Sequence, residues 1–197
     1  MAPVVPDPKR IRTFRTQAAF EKWLAAHHDT EPELWLRIYK KGSGNPTVTN
    51  VEAIDSALCW GWIDGIRKSF DEASFLQRFT PRGRKSVWSQ VNRANVERLI
   101  AAGRMTPHGL AQVEAARADG RWDRAYAPIR EASADTLPAD LKAAIAANPK
   151  AARALETLNR MNLFALIYRT NAMKTPAGRA RKIAQLVEKL ARDKRIV

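Results

Sequence analysis

The sequence of 197 residues contains a single cysteine, Cys59, and only three histidines. One cysteine excludes an internal disulfide and any metal site built from several cysteines, and it is typical of proteins from a reducing compartment. No stretch approaches the roughly 20 apolar residues of a membrane-spanning helix. The N-terminus has no apolar segment of the kind found in secretory signals. We therefore expect no metal, no cofactor, no transmembrane segment and a cytoplasmic location.

Positive charge is the unusual part of the composition. The chain has 34 basic and 20 acidic residues, which gives a net charge of +14, while its apolar fraction of 45% is ordinary for a globular protein. The excess is concentrated near the end, where 13 basic residues stand against 3 acidic ones from Leu141 onward. Such a chain attracts polyanions such as nucleic acid, anionic lipid or phosphorylated ligands, unless the charge is only a solvated surface.

The N-terminal half predicts a mixture of helices and strands. Prolines among the first eight residues predict an extended lead, and a helix is expected to start near Thr16. Glu33 to Lys40 alternates like a strand, and Thr49 forms a capping box with Glu52 at the start of a second helix. Two further strands, 62–70 and 74–80, are expected to pair as a hairpin. A helix capped by Ser89 then runs to Ala102 and ends at Gly103.

The chain after Gly103 predicts helices alone. Thr106 and Pro107 begin the first of them, residues 127–138 are irregular, and four helices are expected at 140–147, 149–158, 163–171 and 176–193. The predicted fold class is α+β. A small antiparallel sheet flanked by helices occupies residues 1–103, and a basic, all-helical subdomain occupies residues 104–197.

Several motifs together resemble a known family. They are Tyr39–Gly44, Asp55–Gly65, Gln77–Arg82 and Trp88–Asn92, followed in the tail by Leu137–Ala144, Ala172–Lys174 and Arg179–Ile183. In order and spacing they are similar to the YdeI/OmpD-associated family, also called the bacteriocin-protection family. The resemblance implies a role in resistance to bacteriocins and antimicrobial peptides and an association with an outer-membrane porin. It supplies no catalytic residues.

The loop that follows the first long strand is one candidate ligand site. Lys40, Lys41 and Ser43 lie among two glycines, which allow backbone N–H groups to converge, and a helix N-terminus follows after Thr49. Such a loop is suited to a phosphate or a carboxylate. The alternative interpretation is an ordinary solvated connection.

The tryptophan-rich segment is the second candidate. If the predicted hairpin forms, Asp64 is expected to meet Arg78 or Arg82 across it, with aromatic side chains walling a pocket. The alternative is a structural ion pair that caps an aromatic core. The residues of this candidate are Trp60, Trp62, Asp64, Arg78, Arg82, Trp88 and Asn92.

Basic side chains of the last helix form the third candidate. Arg181, Lys182, Lys189 and Arg192 lie away from its apolar stripe and are candidates for weak, non-specific binding of a polyanion. Few aromatic residues are interleaved with them, which argues against base stacking. The alternative is a solvated helix face.

The sequence favours a cytoplasmic binding protein linked to envelope or antimicrobial-peptide stress, whose partner is a small anion or a protein. One alternative is a non-specific nucleic-acid-associated protein. Another is a small-molecule enzyme that uses Asp64 or Asp55 as acid or base with Arg82 as an anion clamp. Cys59 is expected to be a buried apolar residue rather than a nucleophile paired with His108. The oligomeric state is left open.

Overall fold

The computed structural model describes residues 4–192 and 196–197. Strands and helices in this part of the chain follow the order β1 (Ile11–Thr13), α1 (Gln17–His27), β2 (Leu34–Tyr39), α2 (Asn50–Cys59), β3 (Trp62–Ser69), β4 (Ser74–Pro81), α3 (Gln90–Ala101), α4 (Pro107–Ala118), α5 (Ala139–Ala146), α6 (Pro149–Glu156), α7 (Arg160–Asn171) and α8 (Pro176–Ala191).

Local capping signals explain where the helices begin. The side chain of Thr16 accepts the N–H of Ala19 at the start of α1, and the predicted capping box of Thr49 and Glu52 is present at the start of α2. Helix α7 begins three residues before its predicted start, because the Asn159 side chain accepts the N–H of Asn162. Helix α8 ends at Ala191, and its predicted end at Asp193 lies outside the described residues.

The sheet has the strand order β1-β2-β4-β3. Strands β2, β4 and β3 are antiparallel neighbours, with Leu34 opposite Phe79 and Trp62 opposite Pro81. Strand β1 was not predicted, and it lies parallel to β2, so the sheet is mixed rather than purely antiparallel. A 3₁₀ turn at Pro8–Arg10, which was not predicted either, precedes β1.

The chain divides into two compact units, residues 1–125 and residues 126–197. Within the first unit, one core lies between the sheet and helices α1 and α2, and a second joins α2 to α3 and α4. Helix α4 therefore lies in the N-terminal unit, whereas the sequence placed it in a subdomain beginning at 104. The second unit has its own apolar core, to which α8 contributes Ile183, Leu186 and Leu190.

The predicted fold class is confirmed: an α+β N-terminal region is followed by an all-helical C-terminal region. Among the described residues, no helix combines the length and the apolar character needed to cross a membrane.

Candidate functional site

The glycine-rich loop lies beside the turn of the β3–β4 hairpin. The backbone N–H of Lys40 donates to the carbonyl of Ala73 at 2.8 Å, and Lys40 Nζ donates to the carbonyl of Glu72 at 2.9 Å. Lys41 is exposed and Ser43 is half-buried. Gly42 has a φ of +85°, a conformation that favours glycine. One of the two lysines is therefore already used to hold the loop against the hairpin.

Trp62, Asp64 and Arg82 lie at the other end of the same hairpin. Tyr39 is opposite Ser74, whereas Trp62 is opposite Pro81. Ser74 and Pro81 are seven residues apart along the extended strand β4, a distance of about 23 Å. The glycine-rich loop and the tryptophan-rich segment therefore do not form one site.

The predicted contact between Asp64 and Arg78 does not form. Asp64 is opposite Phe79, so its side chain leaves the sheet on the face opposite to that of Arg78. Arg78 instead pairs with Glu33, its Nε lying 2.6 Å from the carboxylate. Among the described residues, Asp64 has no ion-pair partner.

Arg82 belongs to a cluster of stacked arginine and tryptophan side chains. Its guanidinium lies 3.5 Å from the centre of the Trp88 ring and donates to the Val87 carbonyl. Trp88 is buried and meets Trp122 edge to face, with ring centres 4.9 Å apart. Asn92 lies nearby in α3, where its N–H donates to the Ser89 cap. This geometry fits the structural alternative for Arg82 and Trp88 better than a ligand pocket.

Trp60 takes part in a cluster that the sequence did not predict. The rings of His28 and His108 lie 4.0 Å apart, and Trp60 stacks on His108. His28 Nδ1 lies 3.1 Å from the carbonyl of Leu24, which only accepts, so this nitrogen carries the proton. His28 and His108 are 80 residues apart in sequence, and no local pattern announces their contact.

Asp55 is buried in an ion-pair network rather than beside a nucleophile. Arg98 holds both of its oxygens, at 2.7 and 2.8 Å. Arg104 approaches the same carboxylate at 3.9 Å and pairs with Glu21 at 2.8 Å. Burial raises the pKa of the Cys59 thiol to about 11. Cys59 is therefore protonated at neutral pH, as expected for a packing residue.

The four basic candidates of α8 lie in different settings. Arg192 pairs with Glu188, Lys182 donates to Gln185, and Lys189 donates to the carbonyl of Ile196. Arg181 is exposed and has no ion-pair partner among the described residues. The polyanion hypothesis for this helix stays a prediction. No group of three or more His, Cys, Asp or Glu side chains in residues 4–192 and 196–197 is arranged to hold a metal ion.

A groove of about 900 Å³ runs along α8 within the C-terminal unit. One wall is α8, from Pro176 to Ala191, with Arg192 just beyond its end, and the other is made by α5 and the start of α6 through Asp140, Ala144 and Lys150. Sixteen residues of helical rise give this wall a length of about 24 Å. The groove was not predicted, because it depends on the placement of α5 and α6 beside α8.

Comparison with known proteins gives two family matches. A family model described as "Domain of unknown function (DUF8412)" matches residues 12–112, just over half of the chain. The chain belongs to this DUF8412 family. A second model, described as "Bacteriocin-protection, YdeI or OmpD-Associated", matches residues 136–193. No curated protein and no solved structure matches.

The two matches fall on different units of the structure. The DUF8412 match lies inside the unit 1–125, and the bacteriocin-protection match lies inside the unit 126–197. The predicted resemblance to the YdeI/OmpD-associated family is thus confirmed, on the C-terminal region. The motifs Tyr39–Gly44 and Trp88–Asn92, on which that prediction also rested, lie in the DUF8412 match.

Proposed function

We propose that this is a partner-binding protein of the bacteriocin-protection type, which acts in the cytoplasm through its C-terminal unit. The observation that carries the proposal is the coincidence of the bacteriocin-protection match, 136–193, with the unit that holds the groove along α8. The single cysteine supports the choice of compartment, because reducing conditions keep such a thiol free.

The charge of the protein argues for the kind of partner. Antimicrobial peptides are commonly amphipathic helices rich in Lys and Arg. A protein of net charge +14 repels such peptides at long range. Protection by direct sequestration of a cationic peptide is therefore disfavoured. Binding of an anionic partner, which then acts in the stress response, agrees with the same charge.

The geometry of the N-terminal unit favours binding over catalysis. Asp55 is held by Arg98, Arg78 is held by Glu33, and the Cys59 thiol is protonated at neutral pH. A catalytic nucleophile needs a base or a positive neighbour that forms its reactive state. Of the acids suggested for catalysis, only Asp64 is left without an ion-pair partner among the described residues.

The test is a deletion of the gene in the organism that carries it, complemented with wild type or with Asp64→Asn. We expect the deletion to increase sensitivity to bacteriocins and antimicrobial peptides, and both complementing forms to restore resistance. Unchanged sensitivity in the deletion strain would refute the proposed role. Rescue by wild type but not by Asp64→Asn would instead favour the enzyme alternative.

A binding assay separates the nucleic-acid alternative. Fluorescence anisotropy with labelled duplex DNA, single-stranded DNA and RNA is measured across a salt series. Under the proposal, binding is confined to low salt, since generic surface charge is screened. Tight binding near physiological salt that is lost on charge reversal at Arg181 and Lys182 would favour the nucleic-acid-binding alternative over the proposal.

A further inference from the structure

The surface of α8 that faces the groove has the spacing of a helix-packing seam. Pro176, Ala180, Ile183, Val187 and Ala191 follow one another at intervals of three or four residues, and all of them line the groove. Residues at this spacing lie on one side of a helix. Ile183 joins this seam to the apolar core of the unit, in which Leu186 and Leu190 are buried, and the exposed Pro176 and Ala180 continue the seam outside that core.

Small side chains on both walls suit a helical occupant. Ala180 and Ala184 of α8 are exposed, and Ala144 of α5 lies across from them. Alanine lets a second helix approach closely, and packed helices lie about 8–10 Å apart according to the side chains at the contact. A groove about 24 Å long matches about four turns of helix, which exceeds the length of a compact small ligand.

Among the residues that the structure describes, the unpaired charge at the rim is positive. Both rim carboxylates already have partners: Asp140 is held by Arg179 through two contacts of 2.5 and 2.8 Å, and Glu188 is paired with Arg192. Lys150 lines the groove and has no ion-pair partner among the described residues. Arg181 precedes Glu188 by seven residues, which is about two helical turns, so both side chains lie on the same side of α8, at the rim of the groove.

From these observations we infer that the groove along α8 binds an amphipathic helix of a partner protein, with small or apolar residues on its inner face and acidic residues on its flanks. The apolar floor takes the inner face, as in other helix-in-groove complexes. Lys150 and Arg181 meet the acidic flanks and fix the orientation. The inference rests on the proposed binding function and names its partner class.

The test uses the full-length protein and a fluorescein-labelled helical peptide of 18 residues. The peptide carries Leu and Ala on the inner face and Glu on the flanks. One control peptide has Lys in place of every Glu, and another keeps the Glu residues but has Ser on the inner face. We expect the first peptide to bind by anisotropy and both controls to bind at least about tenfold more weakly. Equal binding of the Ser peptide would reduce the interaction to charge alone and overturn the inference.

Matched variants locate the binding. Ala184→Trp fills the groove, whereas Gln185→Trp adds the same ring to the next residue of α8, outside the groove lining. Arg181→Glu reverses a rim charge, whereas Lys182→Glu reverses a charge one residue further around the helix. We expect Ala184→Trp and Arg181→Glu to weaken binding about tenfold or more and their controls to leave it within about twofold. Equal effects of each variant and its control would overturn the inference.

Two further outcomes separate this inference from the proposed function. If the peptide binds in the groove but deletion leaves bacteriocin sensitivity unchanged, the inference stands and the protective role fails. If deletion increases sensitivity and Ala184→Trp protects as well as wild type, the groove is not the binding surface. Concentration-dependent dimerisation abolished by Ala184→Trp in sedimentation velocity would assign the groove to a second copy of this chain and overturn the acidic partner.

Discussion

Gly109 of α4 lies directly against the carbonyl oxygen of Cys59 at the end of α2. A Cβ built at Gly109 would lie 2.3 Å from that oxygen and 2.7 Å from the carbonyl of Leu58. Thr106 strengthens the same junction, because its hydroxyl donates to the Cys59 carbonyl at 2.6 Å. This contact sets the start of α4 against the end of α2 and so places His108 on Trp60.

Gly109→Ala is expected to destabilise the protein by about 1–3 kcal/mol, because the added methyl group overlaps backbone atoms that cannot rotate away. Gly83→Ala is the matched control, since the nearest atom to a Cβ there is Ser86 Oγ at 4.0 Å. Chemical denaturation of both variants measures the difference in the free energy of unfolding. Equal stabilities of the two variants would contradict a close contact at Gly109.

Replacing Asp55 is expected to lower the stability of the protein much more than replacing Asp64. The Asp55 side chain is only 8% exposed and holds Arg98, so Asp55→Ala leaves a charged network without its buried acceptor. We expect a loss of about 1–3 kcal/mol. Asp64→Ala is expected to change stability by less than about 0.5 kcal/mol, as is usual for surface changes away from such features. Denaturant unfolding tests both, and a large effect at Asp64 would reveal a partner for it.

A double-mutant cycle refines the Asp55 prediction. Arg98→Ala is made in the wild type and in Asp55→Ala, and the coupling between the two changes is compared with zero. A coupling of about 0.5 kcal/mol or more is expected for a pair in direct contact. Additive effects would mean that the destabilisation comes from packing around Asp55 rather than from its ion pair.

The sequence predicted what depends on neighbouring residues. The caps at Thr49 and Ser89 were predicted because each side chain accepts a backbone N–H a few residues ahead. Strand β1 was missed, because a strand of three residues has too little pattern of its own and depends on pairing with β2.

The candidate contacts were harder to predict, because they depend on register and on distant parts of the chain. A bulge between Asp64 and Arg67 shifts the pairing of β3 with β4, and a one-residue shift moves side chains to the other face of the sheet. Arg78 found Glu33, which lies 45 residues away. The groove along α8 also depends on where α5 and α6 pack, and the sequence of α8 does not predict that.

Cys59 is expected to make stability fall at alkaline pH. Burial raises its pKa from an ordinary value near 9.0 to about 11, so between these values the unfolded state releases a proton that the folded state keeps. The stabilising contribution is complete below pH 9 and is lost as the pH rises to 11. The measurement is the free energy of unfolding of wild type minus that of Cys59→Ala across this range. A flat difference would contradict the prediction, as would rapid labelling of the native thiol at pH 8.

Asp140 and Arg179 are expected to give the C-terminal unit an acid-sensitive link. The side-chain hydrogen bonds from Arg179 hold the pKa of Asp140 below its ordinary value of 3.8. A carboxylate with a lowered pKa stabilises the folded state above its ordinary pKa and loses this contribution as the pH falls through the folded value. Arg179 also donates to the carbonyl of Thr170, so the pair connects the start of α5 to α8 and to the end of α7.

We therefore expect Asp140→Asn to lower the thermal midpoint at pH 7, with the difference from wild type disappearing as the pH falls below about 3.8. Asp135→Asn is the matched control, because its carboxylate is 97% exposed and lies 4.0 Å from Lys142. If the difference between wild type and Asp140→Asn persists at low pH, the Asp140 side chain stabilises the start of α5 without its charge. That result would reject the ion pair with Arg179 as the source of the stabilisation.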